Sequence, residues 1–449
     1  MTDLLGIGST ALAAYRSALS AVGENVANAQ TPGYSRRRVV LEEQSVTGTG
    51  DLGYRPQVVF NGVTAAGVAR AWDNFKAAEA RFSASADGRA SVRQQWLSGI
   101  ETALDDGVAG IGSAMTGFFN AAAALASDPG DALGRRALLS SLDNVASAFR
   151  TSSQALVRLS DGIGQAAEIE VTSLNDALRA LNAVNGAIGP ADANGSARAS
   201  LEDERDRLID FIAGKIDVNV SIGNDGRTTL SAASTSGVPL LDGNGPKLVV
   251  LSKAADGRLS LQLQANGTIV PLPAAGGRFA GLVDVAQTVA DRRASLDALA
   301  VDFTAMVNGW SAAGEDATGA PGAALMSVAG GASSIQALVT DPNRVPAASP
   351  SGTPNGNLLA LDAIRDASAV EDHWGALVSA NAQMLASASA EAAATAAWRD
   401  NSYAALDEVT GVDLDAEAAD LLRYQQAYNA SARIIQVARE TIQALFDAL

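Results

Sequence analysis

Gly48-Thr49-Gly50-Asp51-Leu52-Gly53 has the spacing G-x-G-x-x-G. That spacing cradles a pyrophosphate when it joins a strand to a helix, so that the helix N-terminus meets the phosphates. Here Tyr54-Arg55-Pro56 and an alternating run follow instead, and the stretch reads as a β-hairpin loop. Asp192-Ala193-Asn194-Gly195 matches part of a calcium loop. In that register Pro190 takes the first ligand position and Leu201 the twelfth, where a bidentate glutamate belongs, so this too reads as a surface loop. Residues 202–207, Glu-Asp-Glu-Arg-Asp-Arg, gather carboxylates. Asp203 with Arg207 and Glu202 with Arg205 stand four and three residues apart, the spacing of a solvated helix face. His373, between Asp372 and Trp374, is the single histidine. One histidine excludes a multi-histidine metal site, and a lone catalytic imidazole needs an orienting partner that the sequence does not supply. There is no cysteine, hence no thiolate nucleophile, zinc-thiolate site or disulfide framework. No G-x-S-x-G elbow occurs. The reading is a protein that is not an enzyme, with no cofactor and no metal.

The other reactive-looking group, Arg36-Arg37-Arg38, follows Thr31-Pro32-Gly33-Tyr34. Pro32 lacks an amide hydrogen and suits the second position of a turn. Gly33 tolerates the positive φ at the third position of a type II turn. The four residues therefore predict a tight turn between a helix and a strand. In an acidic chain the arginines are read as pairing with carboxylates of a neighbouring segment or subunit.

The elements around this turn carry the strongest pattern. Leu5, Leu12, Leu19 and Val26 are seven apart, with Gly8, Tyr15, Val22 and Ala29 at the intermediate spacing. Near the other end Leu414, Leu421, Tyr428, Ile435, Ile442 and Leu449 are seven apart, with Tyr424, Ala438 and Leu445 between them. Both are a/d seams, the pattern of helices that supercoil on a partner. Gly411 and the acidic run that follows supply the start of the second helix.

Between the seams the chain reads as mainly α with a small β insert. Short strands follow the turn, and helical pattern runs from about Trp72 to Leu181, broken by Asp128-Pro129-Gly130. A helix capped by Ser200, with Asp203 three residues on, leads into hairpin signals over 217–275. Helix resumes from Leu282 to about Trp310, residues 313–357 read as loop with little fixed structure, and helix returns through Asp362 to Tyr403. The domain reading is an N-terminal coiled-coil helix (1–34), a helical middle domain in two parts (35–216 and 276–411), a β insert domain (217–275) and a C-terminal coiled-coil helix (412–449). Hydrophobic residues are 47%, aromatics only 5%, and the formal net charge is −17. Such a charge repels nucleic acid and anionic lipid. No run of eighteen apolar residues suggests membrane insertion. The opening residues, without a basic side chain before Arg16, make a poor secretory signal.

The N-terminal heptad followed by "ENVANAQTPGYSRRRV" resembles the N-terminal signature of bacterial flagellar axial proteins, the rod, hook and hook-associated family. "GVDLDAEAADLLRYQQAYNASARIIQVARETIQALFDAL" resembles the matching C-terminal signature. The form "DLLRYQQAYNASARIIQ", with "IGSAMTGFFNAAAALASDPGDALGRRALL" and "LEDERDRLIDFIAGKIDVNV" inside, points to the hook-associated branch at the hook–filament junction. The chain departs from the family in length, with room only for the small β insert where a further outer domain often stands. The resemblance implies a structural subunit that self-assembles as an adaptor between hook and filament. It implies an inner tube formed by both termini, a helical domain outside it and the β domain outermost. It implies as partners copies of the same chain, the hook protein and the next junction or filament protein. Export through the flagellar type III route, without a cleaved signal, is implied too, and so is a cytosolic chaperone covering the C-terminal stripe, since an exposed apolar seam risks association. Two alternatives stay open: another axial subunit (hook or distal rod), and an axis-borne cell-wall hydrolase, which needs two opposed carboxylates in a groove.

Overall fold

A computed structural model describes residues 2–47, 58–233, 239–265, 267–273 and 276–447. The Gly48–Gly53 motif lies outside the described residues. Helix α1 (Thr2–Asn28) ends before the Pro32 turn, and strands β1 (Arg37–Thr47) and β2 (Val58–Arg70) follow. These pair as an antiparallel ribbon from Arg37 opposite Arg70 to Thr47 opposite Val58, with irregularities at Val40/Leu41 and Glu43/Ser45. Asp73 caps α2 (Asn74–Ala103) by accepting the amides of Phe75 and Lys76 at 2.9 and 3.1 Å. Helix α3 (Ile111–Ser127) ends at the Asp128-Pro129-Gly130 turn. Asp131 then caps α4 (Ala132–Ile188) through the amides of Leu133 and Gly134, both at 2.9 Å. An acceptor before the first turn meets amides that have no intrahelical partner, which is why these aspartates start helices.

Helix α5 (Ser196–Lys215) begins at Gly195, so Ser200 lies inside it rather than at its cap. Strands β3 (Val218–Ile222), β4 (Thr228–Ala232), β5 (Pro239–Asp242) and β6 (Gly245–Pro246) form one antiparallel sheet in that order. Strands β7 (Leu248–Lys253), β8 (Leu259–Ala265) and β9 (Thr268–Leu272) form another. The rest is α6 (Gly277–Ala312), a short β10 (Met326–Ser327) and β11 (Gln336–Ala337) pair, α7 (Gly356–Ser368), α8 (Val370–Thr410) and α9 (Leu414–Asp447). Asp413 caps α9 through the amides of Asp415 and Ala416.

The chain divides into two units. The first comprises Met1–Ser85, Leu174–Leu248 and Ala396–Leu449, and the second Ala86–Ser173 and Val249–Thr395. In this division the β3–β6 sheet lies in the first unit and nearly all of β7–β9 in the second, within the stretch read from sequence as one β insert (217–275). Turn signals cannot tell one four-stranded sheet and one three-stranded sheet from a single small domain. The same division puts the β1–β2 ribbon in the unit that holds both termini.

The second unit is built on aromatics. Phe118 stacks edge-on against Phe303 and Trp310 at 5.9 and 6.1 Å, and Phe149 lies 6.3 Å from Phe303. All are fully buried. Residues 313–357, read from sequence as loosely structured, are tied onto this core. Asn357 accepts the Trp310 indole N–H at 2.8 Å and donates to the Trp310 and Pro346 carbonyls. Asn308 accepts the amides of Leu325 and Met326, while Asp316 accepts those of Thr318 and Ala320. Leu325, Ile335, Val345 and Ala347 are buried under it. Order here comes from side chains satisfying irregular backbone, which leaves no periodic trace in the sequence.

Candidate assembly site

On α9 the residues turned inward are Glu417, Leu421, Tyr424, Tyr428, Ser431, Ile435, Ala438 and Ile442. They alternate in steps of four and three, the signature of a heptad seam. Helix α1 packs against α9 on one side and against the β1–β2 ribbon on another. Having two neighbours changes which of its residues go deepest. Gly8, Ala11, Ala14, Ala18, Ala21, Val22 and Asn25 are buried, while Leu5, Leu12, Tyr15 and Leu19 are half-buried at the edges. A β-carbon on Gly8 would come within 2.7 Å of Ile435 Cγ1, so glycine sets the close approach of the helices there. Ala18, Ala21, Val22, Val39 and Tyr424 form one core, with Tyr15, Leu19, Leu41, Val68 and Leu421 packed on it. The rings of Tyr15 and Tyr424 stand 6.4 Å apart.

Two residues of the seam read from sequence do not join it. Val26 is 46% exposed and Leu414 54% exposed. Each sits where its helix ends, beyond the contact with the partner helix. The side chain of Leu445 and the whole of Leu449 lie outside the described residues. The seam in turn contains polar residues that a search for apolar heptads passes over. Glu417 and Ser431 share the register of Tyr424 and Ala438, which is the signal that could have found them. Glu417 is only 1% exposed.

The turn is where these elements are locked together. The Tyr34 amide donates to the Thr31 carbonyl at 3.1 Å, and Gly33 has φ +76°, so residues 31–34 form the turn with glycine at the position that requires it. Pro32 and Gly33 are themselves exposed. Just before them, buried Asn25 uses its whole amide. Its Nδ2 donates to the Arg37 carbonyl at 2.8 Å and to Glu417 Oε2 at 3.0 Å; its Oδ1 accepts the Arg37 amide at 2.9 Å and the Tyr34 hydroxyl at 2.8 Å. One side chain thus joins α1, the turn, β1 and α9. Burial pushes the Tyr34 phenol up to about 12, with Arg37 pulling it back, which keeps the hydroxyl protonated as the donor this bond needs.

The three arginines divide their work. Arg36 Nε donates to Glu417 Oε1 at 2.6 Å and its NH2 group to Asp420 at 3.4 Å, clamping the start of β1 to α9. Arg37 reaches Glu24, Ser200 and Asp203 at 3.1, 3.0 and 2.9 Å. Burial works against its charge, but the Asp203 hydrogen bond and the surrounding negative charges raise its pKa above the ordinary value. Arg38 is exposed.

Residues 202–207, read from sequence as a solvated helix face, instead place two of their four carboxylates, Asp203 and Asp206, in a buried network. Asp203 is 9% and Asp206 3% exposed. Arg70 pairs with both at 2.8 and 2.9 Å. Arg81 pairs with Asp206 at 3.3 Å and with Asp210 at 2.6 Å, and Arg205 with Asp206 at 3.0 Å. Arg207 with Glu204 keeps to local pairing along the helix, and Glu202 pairs both with Arg198 on the helix and with Arg70 at 3.5 Å. Arg205 belongs to α5 itself, and the other arginines of the network come from β1, β2 and α2. Removing one partner of such a network leaves a charge stranded in low dielectric, at a cost of about 3–5 kcal/mol. The network ties the ribbon and α2 to α5 through paired, buried charges.

Of the other sequence candidates, the 192–195 loop sits on the ribbon, where the Asn194 carbonyl accepts the Val68 amide at 2.9 Å. His373 is exposed on α8. Among the described residues no three His, Cys, Asp or Glu side chains group to hold a metal, and no helix is long and apolar enough to cross a membrane.

The relatives of the chain match these same parts. Residues 97–326, just over half of it, match the family described as Flagellar hook-associated protein FlgK helical domain. The chain belongs to the FlgK family. Its termini match two broader families: residues 5–34 the Flagella basal body rod protein, and residues 405–448 the Flagellar basal body rod FlgEFG protein C-terminal. Flagellar hook-associated protein 1 of Bacillus subtilis is 24% identical over 498 residues, covering 98% of this chain and 96% of that protein. The Escherichia coli protein of the same name is 24% identical over 72% of this chain, and the match spans 59% of that relative. The Salmonella typhimurium protein is 25% identical, with 73% of this chain and 60% of the relative covered. The solved flagellar hook junction protein FlgK from Burkholderia pseudomallei shares the fold, with a TM-score of 0.51 at 23% identity over 56% of this chain and 47% of that one.

Proposed function

We propose that this FlgK-family chain is a structural subunit of the bacterial flagellum that self-assembles at the hook–filament junction and adapts hook to filament. It works without catalysis. The unit formed by α1, α9 and the β1–β2 ribbon is the part that meets neighbouring subunits around the axis. The observation that carries this is unused apolar surface on α9. Away from the seam Leu422, Ile434 and Val437 are 58%, 39% and 59% exposed. A helix apolar on more than one side has more than one partner. One side of α9 meets α1 in the chain, and copies of the same chain are read as covering another. Hook protein below and the next junction or filament protein above complete the assembly. Before assembly a cytosolic chaperone covers α9, and the chain leaves through the flagellar export route without a cleaved signal.

The test adds purified protein to hook-terminated particles, with a cell-wall hydrolysis assay alongside. The reading expects the protein to bind the hook tip in a fixed number of copies and to permit filament growth, with no hydrolysis. Binding along rods or hooks would favour another axial role, and hydrolysis would overturn the structural reading.

A further inference from the structure

Beside the turn lies a pocket of about 400 Å³ walled by Tyr34, Trp72 and Tyr403, with Asp206, Asp210 and Asp407 at its polar side and Arg207, which pairs with Glu204, also lining it. We propose that this pocket receives an arginine side chain from the terminal segments of a second copy of the chain. The inference rests on the self-assembly reading and names the contact it uses.

The walls are already used for stacking cations. Trp72 carries the Arg70 and Arg81 guanidinium groups at 4.8 and 5.8 Å, and Tyr34 carries Arg37 at 4.9 Å. A planar guanidinium stacks on an aromatic face while its edge donates to a carboxylate. Asp206 and Asp210 are engaged by arginines of the same molecule. Two acceptors remain open among the described residues: the exposed carboxylate of Asp407 and the hydroxyl oxygen of Tyr403, neither of which has a side-chain partner there. Burial, with the Asp210 charge adding to it and Arg81 opposing it, pushes the Tyr403 phenol up to about 12, so its oxygen stays a neutral hydroxyl.

The supply side is equally specific. In this unit the arginines of the buried network all have carboxylate partners. Among the described residues Arg16 on α1, Arg38 on β1, and Arg433 and Arg439 on α9 are exposed and have no ion pair. A chain of net charge −17 repels its own copies unless contacts match charge locally. Four unpaired guanidinium groups on α1, β1 and α9, and a pocket on the same unit that holds the open Asp407 carboxylate and Tyr403 hydroxyl, supply that match. The pocket is shaped by the turn, which gives the turn a role in docking.

The chain has no cysteine, so each introduced thiol is its chain's single attachment point for a maleimide. Asp407→Cys is placed in one tagged chain, and Arg16→Cys, Arg38→Cys, Arg433→Cys or Arg439→Cys in a second, differently tagged chain. The pairs are co-expressed and treated with a bis-maleimide about as long as an arginine side chain. One pairing is expected to give heterodimer at least tenfold above an Asp256→Cys control on the other unit, and only in assembled axes. A charge swap, Asp407→Arg with the matching arginine changed to Asp, should restore hook-tip occupancy that Asp407→Arg alone abolishes. If tagged chains occupy the hook tip but none of the four pairs cross-links above the control, the pocket contact is wrong while the assembly reading stands. If the chains do not reach the hook tip although they are folded, the assembly reading fails first.

Discussion

Replacing Glu417 by Ala isolates what holds α9 to the rest of its unit. The carboxylate is 1% exposed, accepts Arg36 Nε at 2.6 Å, and accepts Asn25 Nδ2 at 3.0 Å. A hydrogen bond to a buried charged group contributes about 1.5–3 kcal/mol. Arg36 is a third exposed, so its freed guanidinium can turn to water, and its share belongs at the low end of that range. Asn25 keeps its bond to the Arg37 carbonyl, so it loses one partner of two. The sum is about 3 kcal/mol, a roughly hundredfold shift toward the opened form of α9. Hydrogen exchange on the full chain reads this directly: α9 amides should exchange about a hundredfold faster, with α3 in the second unit unchanged. Glu417→Gln keeps one acceptor without the charge and should cost about 1–1.5 kcal/mol, roughly tenfold. Unchanged protection of α9 in the alanine variant would refute the clamp. So would an equal loss throughout the chain, which signals global rather than local destabilisation.

Three further outcomes are expected. Leu421, Ile435 and Ile442 changed together to Asp should release α9 and prevent incorporation at the hook tip. The second unit should keep its melting transition, because each half-buried aliphatic contributes up to about 1.5 kcal/mol and three charges exceed their sum. Pro32→Ala with Gly33→Val should abolish hook-tip occupancy with little change in melting. A side chain at φ +76° costs roughly 1–2 kcal/mol, more when β-branched, whereas the nearest atoms, of Arg207, are 3.6–3.7 Å away and leave room; a collapsed transition would place the turn in the folding core. Asp316→Asn should weaken the docking of residues 313–357 at neutral pH. The Thr318 hydroxyl hydrogen bond is the main cause holding the Asp316 carboxyl below its ordinary range. A depressed carboxyl contributes stability above its unfolded pKa and loses it as pH falls through the folded one, so Trp310 emission should show the gap between variant and parent closing below about pH 4.

How far the sequence foretold these features depended on how local their causes were. The turn was legible because Pro32 and Gly33 carry their constraints with them. The α9 stripe was legible because helical geometry maps spacing onto a face. On α1 the same logic weighted leucines, yet the ribbon on a second side puts Ala14 and Ala18 deepest, and no spacing rule announces a second neighbour. Asp203 and Asp206 show the limit most clearly. Their sequence neighbours offered pairs along one helix, but Arg37 and Arg70 arrive from strands more than a hundred residues away and take them. Asn25 was invisible for a related reason, since its four bonds exist only once α1, the turn and α9 have met.

Both chain ends fold into one unit, and its free α9 surface is proposed to meet other copies. Cryo-electron microscopy of hooks ending in this protein tests it most directly. Helices α1 and α9 and the ribbon should lie innermost, with Glu417 of α9 still bonded to Asn25 and Arg36 and with Leu422 and Val437 covered by an adjacent copy. Density with the second unit nearest the axis, or with Leu422 and Val437 facing solvent in the assembled ring, would contradict it.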